Sequence, residues 1–457
     1  MKQNDLPIAL GTENIGKLLM QYAIPAIIAM TASSLYNITD SIFIGHGVGA
    51  LAISGLALTF PLMNLAAAFG SLVGMGAATL MSVRLGQKDY DTANKILGNV
   101  FVLNLILGLA YTVVVLSFLD PILYFFGASA ATLPYAHQYM EVLLFGNVVT
   151  HMYLGLNALL RSTGRPQKAM YATLCSVLIN VILNPLFIFV FKWGIQGSAF
   201  ATVISQTIML AWQISIFSDK KHFIHLKKGI FKLQRKIVVD SLSIGLAPFL
   251  MNAASCVIVV LINQGLIRHG GDLAVGAYGI VNRVVFLFAM IAMGFNQGMQ
   301  PIAGYNYGAG QYARVTEVLK KTIFCATVVM TLGFLIGELF PHAVASVFTT
   351  DQKLINMAAE GLRIVLLFFP IVGFQMVTSN FFQSIGMAGK AIFLSMTRQL
   401  LFLLPCLLIL PALFGVKGVW FSMPSADLAS SIVSAFMLVS QFRKFKRQVV
   451  AQKLKGL

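Results

Sequence analysis

One carboxylate, Asp40, stands in the apolar run 18–44, LLMQYAIPAIIAMTASSLYNITDSIFI, with no other acid in that stretch. A charged carboxylate in hydrocarbon costs about 3 kcal/mol even on translocon-insertion scales, so it persists where it faces a cavity, a partner or a cation. Tyr36 lies four residues earlier and would share its face on a helix. Two other apolar runs carry polar stripes at the same helical spacing: Ser176, Asn180 and Asn184 in one, and Ser198, Thr202 and Ser205 in the other. Hydroxyl, amide and carboxylate oxygens are what a hard cation takes: Asp40 would neutralise one Na⁺ while Asn180, Asn184 and Thr202 supplied neutral ligands. The same desolvated carboxylate could instead carry a proton. These residue types leave Na⁺ and H⁺ both open. Plainer roles compete: Asp40 reaching interfacial water near the end of its run, Asn180 and Thr202 as hydrogen-bond glue between helices, and Asn184 bonding backbone groups freed by Pro185.

The elements that must position these groups are membrane helices. The 457 residues are 58% hydrophobic and 10% charged, with mean hydropathy +0.83, outside the range of ordinary globular chains. Twelve runs are long enough to cross a hydrocarbon core of about 30 Å: 17–44, 51–83, 96–119, 135–160, 169–191, 195–217, 238–266, 274–304, 318–340, 356–384, 391–413 and 416–442. Pro25 sits early in the first, where a missing N–H provides a physical cause for a kink. The expected fold is all-α and polytopic.

The net charge of +17 does not signal nucleic acid, because the basic residues form no stripe with interleaved aromatics. They alternate by loop. With the N-terminus inside, 25 of the 32 Lys and Arg fall on the cytoplasmic side, four outside and three (Arg283, Arg363 and Arg398) within spans. The positive-inside bias places both termini in the cytoplasm of a plasma (inner) membrane protein. The first run is too long for a removable signal peptide and lacks a small-residue cleavage site. Cys175, Cys256, Cys325 and Cys406 stand alone in separate runs and read as packing residues.

The second half repeats the first at a nearly constant offset. Pro25 answers to Pro248 at 223 residues, Gly86 to Gly308 and Gly164 to Gly386 at 222, and Gly194 to Gly415 at 221. Six spans per repeat is an even number, so both halves enter from the same side and form parallel pseudo-symmetric lobes around a central cavity. The division reads 1–217 for the first lobe, 218–237 for a basic cytoplasmic linker and 238–457 for the second lobe with its basic tail. The linker, SDKKHFIHLKKGIFKLQRK, reads as a solvated connection at the anionic inner leaflet, and its His222 and His225 do not suggest a metal site.

Stretches along the whole chain carry a resemblance: LYNITDSIFIGHGVGALAISGLALTFP (35–61), RLGQKDYDTA (84–93), NALLRSTGRPQKAM (157–170), NVILNPLFIF (180–189), GIQGSAFATVISQ (194–206), AYGIVNRVVFLFAMIAMGFNQGMQPIAGYNYGAGQYARV (277–315), QSIGMAGKA (383–391) and RQLLFLLP (398–405). In these the chain resembles multidrug and toxic compound extrusion (MATE) transporters, most like the bacterial DinF/MepA-type branch. The resemblance implies twelve helices in two six-helix lobes and efflux by rocking between inward- and outward-open states, driven by entry of H⁺ or Na⁺. It implies small-molecule drugs or lipophilic cations as substrates and membrane lipid as surroundings, with no cofactor beyond the coupling ion. A monomer that is not an enzyme is expected. Tyr36 and Asn157 match positions lining the first-lobe cavity in relatives, with packing as their plainer role, and together with Ser176 and Asn180 of the polar stripe they are the candidate substrate-binding residues. The related pattern in span 5 reads N-x-x-x-D-P, whereas here it is Asn180-Val-Ile-Leu-Asn184-Pro185. A second acid is missing, which concentrates ion coupling on Asp40.

The second lobe has no acid matching Asp40. Its polar residues at span depth include Arg283, Gln300 and Arg398; Arg283 is expensive there and so reads as paired or cavity-facing, with Asp427 in the last span as a candidate partner or a helix-packing acid near Pro424, and these read as conformational or structural groups. A lipid-linked oligosaccharide flippase is the competing function, which would want a more basic cavity. Membrane-enzyme signatures such as H-E-x-x-H or G-x-S-x-G do not occur in the spans.

Overall fold

The computed structural model describes residues 8–454, so Lys2 and Lys455, two of the inner-side basic residues, lie outside the described residues. Among the described residues every regular element is helical. The first lobe's helices are α1 (Ile15–Gly47), α2 (Ala50–Gly86), α3 (Tyr90–Ser117), α4 in two pieces (Leu133–Phe145 and Asn147–Ser162), α5 (Pro166–Pro185) and α6 (Gly194–Ser218). The second lobe's are α7 (Arg235–Gly271), α8 (Leu273–Gly308), α9 (Tyr312–Leu339), α10 in two pieces (Gln352–Val365 and Phe369–Ser384), α11 (Ala388–Phe414) and α12 (Val416–Leu454). Ten are singly long and apolar enough to cross a membrane, and the two bent pairs bring the number to twelve. The twelve expected runs correspond to these helices.

The two bends answer each other across the repeat: α4 turns by 56° around Gly146 and α10 by 55° around 366–368. At Gly146 a Cβ would lie 2.3 Å from the Val203 side chain, so the bend depends on a close approach to α6 that glycine permits. Gly271, at φ 64°, separates α7 from α8 in the left-handed region that favours glycine. Pro25 does not break α1, which runs as one helix of 33 residues, about 50 Å long.

The chain packs as two compact units whose limits do not follow the repeat boundary. The first contains Ile28–Phe249, and so takes in the start of α7. The second contains Glu13–Ile27, the start of α1, together with the chain from Leu250 onward. Glycines make this exchange possible. In the first unit, a Cβ on Gly76 would lie 1.9 Å from the Ser241 carbonyl oxygen and one on Gly245 would lie 1.8 Å from that of Leu72, so α2 and α7 touch backbone to backbone. In the second, Gly298 meets Ala23 and Gly294 meets Ile27, joining α8 to the start of α1. Gly76 and Gly298 are repeat equivalents at the 222-residue offset. Small residues that let helix backbones meet are the usual means of packing in membranes, where apolar burial drives little association.

The basic linker does not hang free between helices. Asn94 on α3 donates to the Phe223 carbonyl at 3.1 Å and accepts the His225 N–H at 3.1 Å. Further along α3, Asn99 donates to the Lys232 carbonyl at 3.2 Å and accepts the Gln234 N–H at 3.0 Å. Gly98 lies between them, against the Ile230 carbonyl. Two asparagines thus strap the linker along α3, while its lysines and arginines stay exposed.

Candidate cation site

Proline at 185 starts a local unwinding. A π-helical turn, Leu186–Val190, continues α5 beyond Pro185 and packs Ile188 against Gly47 at the end of α1, where a Cβ would lie 2.2 Å away. Phe187 packs on Gly197 of α6, where a Cβ would lie 3.0 Å from its side chain. These contacts draw α1, α5 and α6 together around Asp40. An apolar shell that includes Ile44, Leu56, Val142, Ile195 and Ala199 closes over it, leaving Asp40 5% exposed.

Asp40 Oδ1 accepts hydrogen bonds from Asn184 Nδ2 and Ser198 Oγ, and Oδ2 accepts from the Tyr139 hydroxyl at 3.4 Å. Asn184 and Ser198 are fully buried. One helical turn away, Thr202 Oγ1 lies 2.6 Å from the Tyr36 hydroxyl and accepts from Asn180 Nδ2 at 3.1 Å. The two knots are connected through Thr202, which donates to the Ser198 carbonyl at 3.2 Å. The Oδ1 atoms of Asn180 and Asn184 are both buried without a hydrogen-bond partner. A buried amide oxygen left unpaired costs about 1–3 kcal/mol, and two in one cluster leave two acceptors open to a donor or a cation beside Asp40.

The polar stripes therefore converge, with Tyr36, Asp40, Asn180, Asn184 and Thr202 in one polar knot. Asn184 turns to Asp40 and to Ser198, at 3.4 Å, and makes no side-chain bond to the backbone around Pro185 among those described. Tyr139 is not among the site residues expected from sequence: no polar stripe of its piece of α4 runs through it, and only the tertiary fold brings it to Asp40. Asn157 and Ser176 stand elsewhere. Asn157 donates to the Ala169 carbonyl at 3.0 Å and to Thr173 at 3.3 Å, and accepts from Arg161 at 2.5 Å. Ser176 and Thr173 border the Tyr153 hydroxyl in that second cluster.

In the second unit, Asp427 pairs with Arg398, Nε to Oδ1 at 2.6 Å, and not with Arg283. The cause is local: the π-helical segment Thr397–Leu403 within α11 turns Arg398 toward α12 and sets Gln399 Nε2 3.1 Å from Ser255 Oγ of α7. Arg283 is exposed, with no hydrogen bond or ion pair among the described residues, so of its two expected settings the pairing with Asp427 is not met. Gln300 is buried on α8. Pro25 is buried in the part of α1 that belongs to the second unit, just before the boundary between Ile27 and Ile28.

No group of three or more His, Cys, Asp or Glu is placed to hold a metal among the described residues. A cation in the first unit would meet one carboxylate and neutral oxygens. That set suits a weakly held, hard monovalent ion better than a transition metal.

The family model described as MatE matches residues 25–186 and 244–408, one segment in each half. The multidrug export protein MepA of Staphylococcus haemolyticus (strain JCSC1435) is 28% identical over 427 residues, covering 93% of this chain and 94% of its own length. The MepA of Staphylococcus aureus (strain MSSA476) is 28% identical over 422 residues, covering 92% and 93%. An outward-facing structure of a multidrug resistance MATE family transporter of the MOP superfamily shares the fold, with TM-score 0.91 at 24% identity, over 98% of this chain and all of the other.

Proposed function

The chain belongs to the MatE family, and on that premise we propose that it is a multidrug efflux transporter of the plasma (inner) membrane. It exports lipophilic, often cationic compounds in exchange for Na⁺ or H⁺ by alternating access, as a monomer with both termini cytoplasmic. The repeat halves are 1–217 and 238–457, joined by 218–237, while the bodies that would move are the packed units, Ile28–Phe249 and Glu13–Ile27 with the chain from Leu250 onward. The observation that carries the ion coupling is the pair of unpartnered amide oxygens on Asn180 and Asn184 beside the buried carboxylate of Asp40.

That donor set fits a hard monovalent cation. Asp40 would supply the negative charge, the two Oδ1 atoms and the Thr202 hydroxyl the neutral ligands. A proton on Asp40 neutralises the same charge, and Asn184, Ser198 and Tyr139 hold the carboxyl in place for either ion. Neutralisation removes the attraction for a cationic drug, so ion and drug compete for one charge. Asp40 is about 22 Å along α1 from Pro25, where the missing hydrogen bond allows the helix to bend.

The flippase reading needs cations free for pyrophosphate. Of the three span arginines Arg398 is committed to Asp427, which leaves two, Arg283 and Arg363, and argues against a strongly basic cavity. The deciding experiment follows a fluorescent lipophilic cation in everted vesicles while Na⁺ and pH gradients are imposed independently. Acceleration by either gradient supports antiport and identifies the ion; response to neither overturns it.

A further inference from the structure

Between the first turns of α1 and a stretch of α9 lies a groove of about 260 Å³. Leu19, Met20, Phe324 and Cys325 form its apolar surface, with Lys320 and Lys321 at its edge. Phe324 is 69% exposed and Met20 37%, so the apolar surface is open to the surroundings of the helices. Lys321 is paired with Glu317 at 2.7 Å, while Lys320 is exposed and has no acid partner among the described residues. The charge at the edge is therefore positive.

The helix beside this groove is anchored at its start. Arg314 Nη2 donates to the Glu13 carbonyl at 2.7 Å while its Nε donates to Asn306 at 2.9 Å, tying the N-terminus of α1 to α8 and α9. The α1 backbone runs beside Lys321 at Gly16, where a Cβ would stand 3.4 Å from Nζ, an ordinary contact. An exposed apolar trough next to two ammonium groups at the end of a membrane helix has one chemically matched occupant in a bilayer, an amphiphile with an anionic head.

We propose that the groove binds an anionic phospholipid of the inner leaflet, its phosphate held by Lys320 and Lys321 and an acyl chain laid over Leu19, Met20, Phe324 and Cys325. The leaflet rests on the orientation proposed above, whereas the binding does not depend on efflux or on the coupling ion. A lipid seated there adds contacts that hold the start of α1 against α9.

The test uses the full chain in nanodiscs of equimolar phosphatidylglycerol and phosphatidylcholine, followed by native mass spectrometry of the retained lipids. Phosphatidylglycerol is expected to be retained in preference. Removing both lysines, Lys320→Gln with Lys321→Gln, should lower that preference about fivefold per lysine. Cys325→Phe, which fills the groove and leaves the charges, should displace the lipid as well. Loss of equal size from Lys227→Gln with Lys228→Gln in the linker would mean diffuse surface attraction and overturn the site. So would an unchanged preference in the lysine variant, or displacement of the lipid by millimolar glycerol phosphate, which would assign the lysines to a soluble phosphate. Nanodiscs offer the same lipids on both faces, so this result is independent of orientation, which labelling of cysteines placed in the two tails reports separately.

Discussion

Asn184 gives its amide nitrogen to Asp40 and keeps its own carbonyl oxygen without a partner. A residue that gives its donor to a carboxylate and keeps an acceptor free beside it would, on the function proposed above, help that carboxylate receive a cation. This relationship sets the first two predictions.

Asp40→Asn preserves the size of the side chain and removes the charge. The variant is expected to reach the membrane at wild-type level, with drug efflux no longer answering to Na⁺ or pH gradients. Vesicle transport with both gradients checks this, and gradient-driven efflux at the wild-type rate would remove Asp40 from the coupling step.

Asn184→Asp places a second carboxylate in contact with the first. Two adjacent acids cannot both ionise without a shared proton or cation, so the variant needs one more than the wild type does. Its thermal stability in detergent should rise with Na⁺, or with falling pH, more steeply than that of the wild type. Parallel melting curves in NaCl and choline chloride read the difference.

The Arg398–Asp427 pair should respond unequally to loss of each partner. Arg398→Gln leaves the Asp427 side chain, 7% exposed, charged without a partner, at about 3 kcal/mol. Asp427→Asn leaves Arg398, 32% exposed and able to find other surroundings, at about 1 kcal/mol. Thermal unfolding of the two variants should rank them in that order.

The backbone contacts between α2 and α7 admit no side chain. Gly245→Ala would place a methyl group against the Leu72 carbonyl and is expected to cost about 1–3 kcal/mol or more. Gly279→Ala is the control: it has open space on α8, and alanine's helix propensity makes it neutral or stabilising by about 1 kcal/mol. A melting temperature lowered by Gly279→Ala as much as by Gly245→Ala would contradict the packing described.

Asn94→Ala and Asn99→Ala each remove both bonds that fix one point of the linker to α3. Each should cost about 1 kcal/mol. The double variant should open the 218–236 segment to proteolysis, with cleavage there as the readout.

Much of this is legible in the chain itself. Apolar runs separated by basic loops define the helices, because a bilayer leaves few other ways to satisfy backbone polar groups. The stripes through Asp40, Asn180 and Thr202 are visible because helical spacing alone puts their members on common faces. Tyr139 is not, since nothing local distinguishes a tyrosine that reaches another helix. The bends at Gly146 and 366–368 also escape, because hydropathy is continuous through them. The pairing of Arg398 with Asp427 is hidden because the turn that directs it is a π-helical segment, invisible to a 3.6-residue period. The grouping of α1's start with the second unit depends on tertiary contacts at Gly294 and Gly298, which a repeat by sequence assigns to the other lobe.

That grouping bears on how the protein is made. A ribosome that has released residues 1–217 has supplied neither Ser241 nor Gly245, against which α2 must close, and the second unit in turn waits from the beginning of synthesis with its Glu13–Ile27 segment already in the membrane. The two halves cannot mature one after the other. Expressed as separate genes cut at the repeat boundary, each half would emerge lacking a strip of its own interior, and the quality-control machinery of the cell would meet two incomplete proteins where a cut at 249 and 250 leaves only one strip misplaced.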